Sequence, residues 1–455
     1  MSANPHSTVM TLHADFAAGR LTPTELHEAL LADIAERNPT LNAYVRIDEA
    51  RGRAAARAST DRYKRGAPIG SLDGIPVGIK DNIAVAGLAR PGAIAAYQDY
   101  VAPADAPVVD KLRKAGAVVV GMLNMDEGAF GSTTESPHYG RCYNPLRPHH
   151  TPGGSSGGSA AAVTSGLCTV ALGTDTLGSV RIPASYCGIV GFKPSHGAID
   201  TDGVLELSPT LDHVGVLART VADAALAFQA IADRPLGWKS VAEPRTDFGN
   251  SLTLGILDPG DAAAPEVTRG FKTIVALLEK SNIELVTIGG SGFDPGRARR
   301  DGLLITEAEA ALVHEAALKE SPEGFSPLFR DAMAYAQRQP ALRIAKAYKA
   351  MEDARRWLAK QFARCHAILS PTTPHKAIPF NSHGAPNAAR FTSFANLAGV
   401  PALALPIADG DALPMSVQLV APFGKDDWLL ALGERIAGCC PPPRWSTSDG
   451  KFLVA

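Results

Sequence analysis

The chain has 455 residues, 45% apolar and 20% charged, with a net charge of −2. That balance excludes wholesale disorder, and the lack of a strong basic run argues against nucleic acid as a partner. The length allows two or three domains, yet no internal repeat or composition break marks a linker, so one α/β domain over 1–455 is expected.

Six cysteines (Cys142, Cys168, Cys187, Cys365, Cys439, Cys440) show no C-x-x-C and no metal-ligand spacing, and read as reduced thiols. The segment Met1–Arg20 lacks a basic flank followed by an apolar core, so it does not read as a signal peptide. Pro148–Thr174 is free of Asp, Glu, Lys and Arg but too rich in Gly, Ser and Thr to span a bilayer. A cytoplasmic protein with no membrane partner is expected.

In chain order, the N-terminal region, about 1–65, reads as helical. Thr22 caps "PTELHEALLADIAERNPTLNAYV", where Leu26, Ala29, Leu30 and Ile34 recur at helical spacing, and Ile47–Arg65 reads as a second helix. Strands follow at Gly74–Ile83 and, after the helix "APVVDKLRKAG", at Ala117–Met125. "AAAVTSGLCTVALGTDT" predicts a helix leading into a buried strand, and Cys187–Ser195 another strand. Leu252–Ile288 reads as strand–helix–strand, and Asp301–Phe362 as a helical, cap-like insertion. Late strands in "CHAILSPTTP" and "PALALPIA", a closing helix "DDWLLALGERIAG" and an irregular tail complete an α/β layering.

Gly153–Ser159 packs four glycines and three serines into seven residues, which on composition alone is as readily a flexible linker as a site. Ser179 follows Gly178 at a turn, where a serine exposes its Oγ and nearby backbone N–H groups can converge; an ordinary turn serine has the same pattern. Lys80 ends the apolar run "IPVGIK", so its stem is buried; a desolvated amine can act as a base, and a salt-bridged or snorkelling lysine is the alternative. His149 and His150 are adjacent and make a poor chelate, His213 reads as structural, and Cys187 lacks a histidine beside it and reads as core.

Together these pieces resemble the amidase signature family over nearly the whole chain. The resemblance runs through "PIGSLDGIPVGIKDNI", "GAVVVGMLNMDEGAFGSTTESPHYGRCYNP", "TPGGSSGGSAAAVTSG", "GTDTLGSVRIPASYCGIVGFKPS", "LSPTLDHVGVLARTVADAA", "NLAGVPALALP" and "LPMSVQLVAPF". It implies a large mixed central sheet covered on both faces by helices, and an amidase that cleaves a small-molecule C–N bond through an acyl-enzyme. Carried over by position, Ser179 matches the nucleophile and Lys80 the base. Ser155 matches the bridging serine, which in this family sits on a cis peptide. The backbone N–H groups of Thr176, Leu177, Gly178 and Ser179 match the oxyanion hole, and Asp175 and Arg181 match residues that buttress the turn. Met125, Gly153, Gly154 and Arg390 are candidates for substrate contact. No metal or organic cofactor is implied; a homodimer is, and some relatives work with a small partner subunit.

The family usually has two glycines before the nucleophile, whereas Leu177-Gly178 precede Ser179 here, so a positive φ at Leu177 would be strained. Ser416 replaces a customary glycine, with an effect expected only on packing. Glutaminase subunits of tRNA-dependent amidotransferases, in the same family, carry an acid in "D-x-F-T" that receives the glutamine ammonium. The stretch here is "ARFT", with Ala389 in the acid's place and Arg390 beside it. A free-standing amidase is therefore expected. The alternatives are a ureide (carboxybiuret-like) hydrolase and a glutaminase subunit.

Overall fold

Runs such as Val118–Leu123 and Val170–Thr174 offer water no polar face, so they must be covered on both sides. The computed structural model, which describes residues 7–233, 252–281, 283–289, 293–380, 387–408 and 413–440, covers them with helices. Eleven strands form one mixed sheet. Its order is β1 (Tyr44–Ile47), β3 (Val118–Leu123), β2 (Pro76–Lys80), β6 (Val170–Thr174), β8 (Val214–Ala218), β7 (Val190–Lys193), β12 (Ala402–Ile407), β13 (Met415–Val420), β11 (Ala367–Pro371), β9 (Leu252–Leu257) and β10 (Ile283–Ile288). The short β4 (Glu135–Ser136) and β5 (Gly140–Arg141) pair separately. β3, β2 and β6 are parallel, as are β11, β9 and β10; every pairing between β6 and β11 is antiparallel.

Successive side chains of a strand point to opposite faces. Accordingly Val170 and Leu172 enter one apolar core and Ala171 the other, and Val216 and Ala218 part from Leu217 in the same way. The first core packs under helices Val9–Ala17, Pro107–Lys114, Val221–Ile231, Pro265–Glu279 and Asp426–Cys439. The opposite face carries Gly157–Thr164 and Arg181–Cys187 over the middle of the sheet, with Pro295–Val313 and Ala341–Phe362 further along.

The structure corrects several expected boundaries. The helix capped by Thr22, Pro23–Leu41, is followed by Asn42, which turns left-handed at φ 53, and Tyr44–Ile47 becomes an edge strand. The region 1–65 is therefore not wholly helical. A four-residue strand is too short for periodicity to reveal, and only its pairing with β3 defines it. Cys187 closes a helix that Gly188 caps at φ 68, so the strand expected from Cys187 begins at Val190. β8, β13 and helix Val221–Ile231 add to the expected elements. The expected insertion starts earlier, at Pro295, and contains four α-helices. From residue 441 the irregular tail lies outside the described residues. No described helix is long and apolar enough to cross a membrane.

Thr22 forms a full capping box: Thr22 Oγ1 accepts the Glu25 N–H at 3.1 Å, and Glu25 Oε2 accepts the Thr22 N–H at 2.8 Å. Replacing Thr22 with Ala is expected to cost about 1 kcal/mol, read as a lower urea midpoint with unchanged slope.

Candidate active site

β2 and β6 are parallel neighbours, and ligand crevices in α/β sheets lie outside the carboxyl ends of such strands. Lys80 is the last residue of β2 and Thr174 the last of β6. The fully buried Lys80 donates from Nζ to Ser155 Oγ at 2.7 Å and to Thr174 Oγ1 at 2.8 Å. Burial pushes its pKa down to about 7, against the opposing pull of Asp126, Asp212 and Asp175. Lys193 is also fully buried and is likewise brought to about 7 by burial, aided by Arg181. Its Nζ, however, donates to the Val400 and Pro194 carbonyls at 2.8 and 2.9 Å, acceptors with no proton to give. Geometry, not burial, makes Lys80 the candidate base.

The Gly/Ser stretch is buried throughout, which removes the linker reading. A Cβ on Gly154 would lie 2.1 Å from Asp126 Oδ2, one on Gly157 2.2 Å from Thr134 Oγ1, and one on Gly158 2.4 Å from Asn124 O. The glycines are there for close approach. Ser156 and Ser159 donate to the β6 carbonyls of Thr174 and Leu172 at 3.2 and 3.0 Å, and the Gly154–Ser155 peptide is cis. Asp126 accepts the N–H groups of Thr133 and Glu135, each at 3.2 Å, and donates its own N–H to Ser155 O at 3.2 Å.

After β6 the chain turns through Thr176–Ser179. Among the described residues no acceptor meets the backbone N–H of Thr176, Leu177, Gly178 or Ser179. The positive φ of this turn falls on Gly178, at 140°, where a Cβ would lie 2.3 Å from Thr392 Oγ1. Leu177 stays outside the left-handed region, so the expected strain is absent, and its side chain packs against Gly302. Asp175, at the root of the turn, accepts Arg181 Nε and Nη2, both at 2.9 Å, and Asn396 Nδ2 at 2.8 Å. Burial alone would raise the Asp175 carboxyl, but the Arg181 guanidinium, helped by Lys193 and Asn396, holds it well below the usual carboxylate range. The Ser156 N–H donates to Ser179 O at 3.1 Å and joins the two turns. No hydrogen bond links the Ser155 and Ser179 hydroxyls themselves in this structure.

Ser179, Thr176 and Leu177 open onto a cavity of roughly 180 Å³, closed opposite by Arg299, Leu303 and Thr306 of helix Pro295–Val313. Ala389 also lines it. Arg390 does not; it lies 3.8 Å from Asp294. Met125 is buried in an apolar cluster with Ile94 and Phe329, and Gly153 packs on Pro183, so neither lines the cavity. A larger groove of about 750 Å³ near Phe423 contains neither Lys80 nor either serine. Cys187 is buried, with Sγ 3.4 Å from Pro152 O, and burial pushes its thiol far up, the reverse of what a thiolate nucleophile needs. His149 is exposed, and His213 is buried, its backbone carbonyl accepting the Asp175 N–H at 2.8 Å. Among the described residues no group of three His, Cys, Asp or Glu could hold a metal.

Thr174, Asp126, Asp212, Thr392, Asn396, Gln418 and Arg299 carry roles that sequence reasoning did not assign. Asp212 accepts Thr176 Oγ1 at 2.5 Å and the N–H of Leu207 at 2.8 Å, steadying the turn; burial raises its pKa to about 6. Asp212 in "LDHV", Asn396 in "NLAG" and Gln418 in "VQLV" each stand in a mostly apolar setting. That was the available signal.

The profile of the family described as Amidase matches residues 25–430. A glutamyl-tRNA(Gln) amidotransferase subunit from Chloroflexus aggregans is 35% identical, over 94% of this chain and 95% of that protein. A solved structure described as an amidase is 32% identical and superposes with a TM-score of 0.87 over 96% of this chain and all of its own. A chain of an inhibitor-bound vestigial protein complex, described as revealing the evolutionary origins of an s-triazine catabolic enzyme, is 28% identical, with a TM-score of 0.88 over 96% of this chain and 100% of its own.

Arg181→Met leaves Asp175 buried and uncompensated. It is expected to cost about 3–5 kcal/mol in urea unfolding. A cost below about 1 kcal/mol would remove the ion pair from its structural role.

Proposed function

The chain belongs to the amidase family, and from that premise we propose that it is a free-standing hydrolase of small amides acting through Lys80, Ser155 and Ser179. One observation carries the proposal: a buried lysine whose pKa is lowered to about 7 stands 2.7 Å from Ser155 Oγ, beside a serine turn with four unpaired N–H groups. In this reading neutral Lys80 takes the Ser155 hydroxyl proton while Ser155 takes that of Ser179, the serine–serine link closing when substrate binds. Ser179 Oγ forms a bond to the amide carbon, and the carbonyl electron pair moves onto oxygen, facing the N–H groups of Thr176–Ser179. Each donor there is worth roughly 3–4 kcal/mol in the transition state. The proton returns through Ser155 to the leaving nitrogen, the C–N bond breaks, and ammonia or an amine departs. Water, deprotonated by the same relay, then cleaves the acyl ester and restores Ser179. Asp175 and Arg181 hold the turn in register. One sheet drawing strands from Tyr44 to Val420 supports reading 1–455 as a single domain.

The relatives named as amidotransferase subunits favour a second reading, a glutaminase subunit with protein partners. Against it, Ala389 lines the cavity where the resemblance calls for an acid, so a glutamine ammonium would be desolvated without a partner. The likeness to a chain of the complex described with an s-triazine catabolic enzyme supports including ureides among the substrates tested.

Purified protein is expected to release ammonia from small amides or ureides, and Ser179→Ala to lower the rate at least about 10³-fold. Turnover of glutamine alone would move the chain to the second reading. Because only the neutral amine can accept a proton, kcat/KM is expected to rise with pH through about 7 and level off above it. A profile flat from about pH 5 to 8 would remove Lys80 from the base role.

A further inference from the structure

Arg299, Leu303 and Thr306 have the i, i+4, i+7 spacing of one helical face, and that face lines the Ser179 cavity. Arg299 is the one charged side chain among the described residues lining it. Its Nε is buried with no hydrogen-bond partner, and no described carboxylate pairs with it. Arg390 Nε is likewise buried without a partner, but the nearby arginines each have a carboxylate: Arg297 lies 3.5 Å from Asp301, and Arg300 and Arg390 each lie 3.8 Å from Asp294. Burial, with Arg300 and Arg390 nearby, pushes the Arg299 pKa down, the mark of a site short of negative charge. A guanidinium does not shed its proton at ordinary pH, and with no described carboxylate beside it Arg299 is available to pair with an anion that enters the cavity.

We infer that Arg299 anchors a carboxylate of the substrate, and that the substrates are short monocarboxylates bearing a primary amide or ureide nitrogen and no ammonium group. This rests on the amidase reading and sharpens it. The planar fork of arginine matches a carboxylate in two parallel bonds. The cavity of roughly 180 Å³ has room for a small substrate beside Ser179. No carboxylate side chain is among its described lining residues, so an ammonium would meet only Arg299 and neutral groups.

Succinamate and 4-methylpentanamide share the amide and differ in carrying a carboxylate or an isopropyl group at the far end. The full chain is expected to prefer succinamate by roughly 10²-fold in kcat/KM. Arg299→Met and Arg299→Gln should each reduce that ratio by roughly 10- to 100-fold, and Arg299→Lys should restore part of it. Titration of succinamate into Ser179→Ala protein reads binding without chemistry, and adding Arg299→Met should abolish the binding heat. A ratio unchanged in folded Arg299→Met and Arg299→Gln proteins overturns the anchor, as does a wild-type protein indifferent to the carboxylate. If neither amide is cleaved, yet Ser179→Ala binds succinamate in an Arg299-dependent way, the anchor stands and the reaction reading fails. Succinamate that is neither cleaved nor bound overturns the anchor.

Discussion

The buried pair of Asp175 and Arg181 is the constraint on which the site depends. Removing two charges from water costs several kcal/mol per ion and is offset only when every remaining donor and acceptor is met. Arg181 meets that condition. Its five N–H groups have five contacts: both Asp175 oxygens, Asn396 Oδ1, Thr392 O and Gln418 Oε1. These partners lie at the end of β6, in the 392–396 segment and on β13, so one guanidinium ties together pieces more than two hundred positions apart. The Ser179 turn lies between Asp175 and Arg181. Both ends of the turn that carries Ser179 are thereby held.

Two lysines show what burial does and does not decide. Lys80 and Lys193 are equally desolvated and equally lowered, to about 7. One amine meets a hydroxyl and the other only carbonyls. A depressed pKa supplies a free lone pair near neutral pH, and the neighbouring group decides whether that lone pair has a proton to take. The carboxylates around Lys80 serve backbone geometry instead: Asp126 holds the 133–135 segment, and Asp212 holds Thr176. In the proposed function, chemistry and substrate choice are carried by different parts of the chain. The lysine and serines come from β2 and the loops flanking β6, whereas the opposite cavity wall comes from a helix more than a hundred residues later. Leu177 bridges the two, contributing a backbone N–H to the turn and a side chain that packs against Gly302 of that helix.

Much of this was legible in the amino-acid sequence. Apolar β-branched runs announce doubly covered strands, Thr22 and Glu25 announce a helix start, and the Gly/Ser cluster with the later "GTD" block announces the family. These signals are local: a strand buried on both faces cannot hide its composition, and a capping box lies within four residues. Lys80 and Ser179 stand in short, unusual contexts, an apolar strand end and a glycine-flanked turn, but the resemblance to the amidase signature family was what marked Lys80, Ser155 and Ser179 together. The structure puts the positive φ of the Ser179 turn on Gly178, not on Leu177, where the sequence reading raises it.

What only the tertiary structure decided is which distant groups meet. β8 and β13 are short apolar segments that pairing alone makes strands. The meaning of the glycines at 154, 157 and 158 lies in Asp126, Thr134 and Asn124, none of them adjacent in the chain. Arg299 and Arg390 look alike as letters, yet Arg390 lies beside Asp294 while Arg299 lines the cavity with no described carboxylate, a difference set by the carboxylates within reach of each. Local sequence determines conformation and burial tendency, because those depend on a residue and its near neighbours. Charge pairing and cavity shape depend on distances across the fold, and folding alone supplies them.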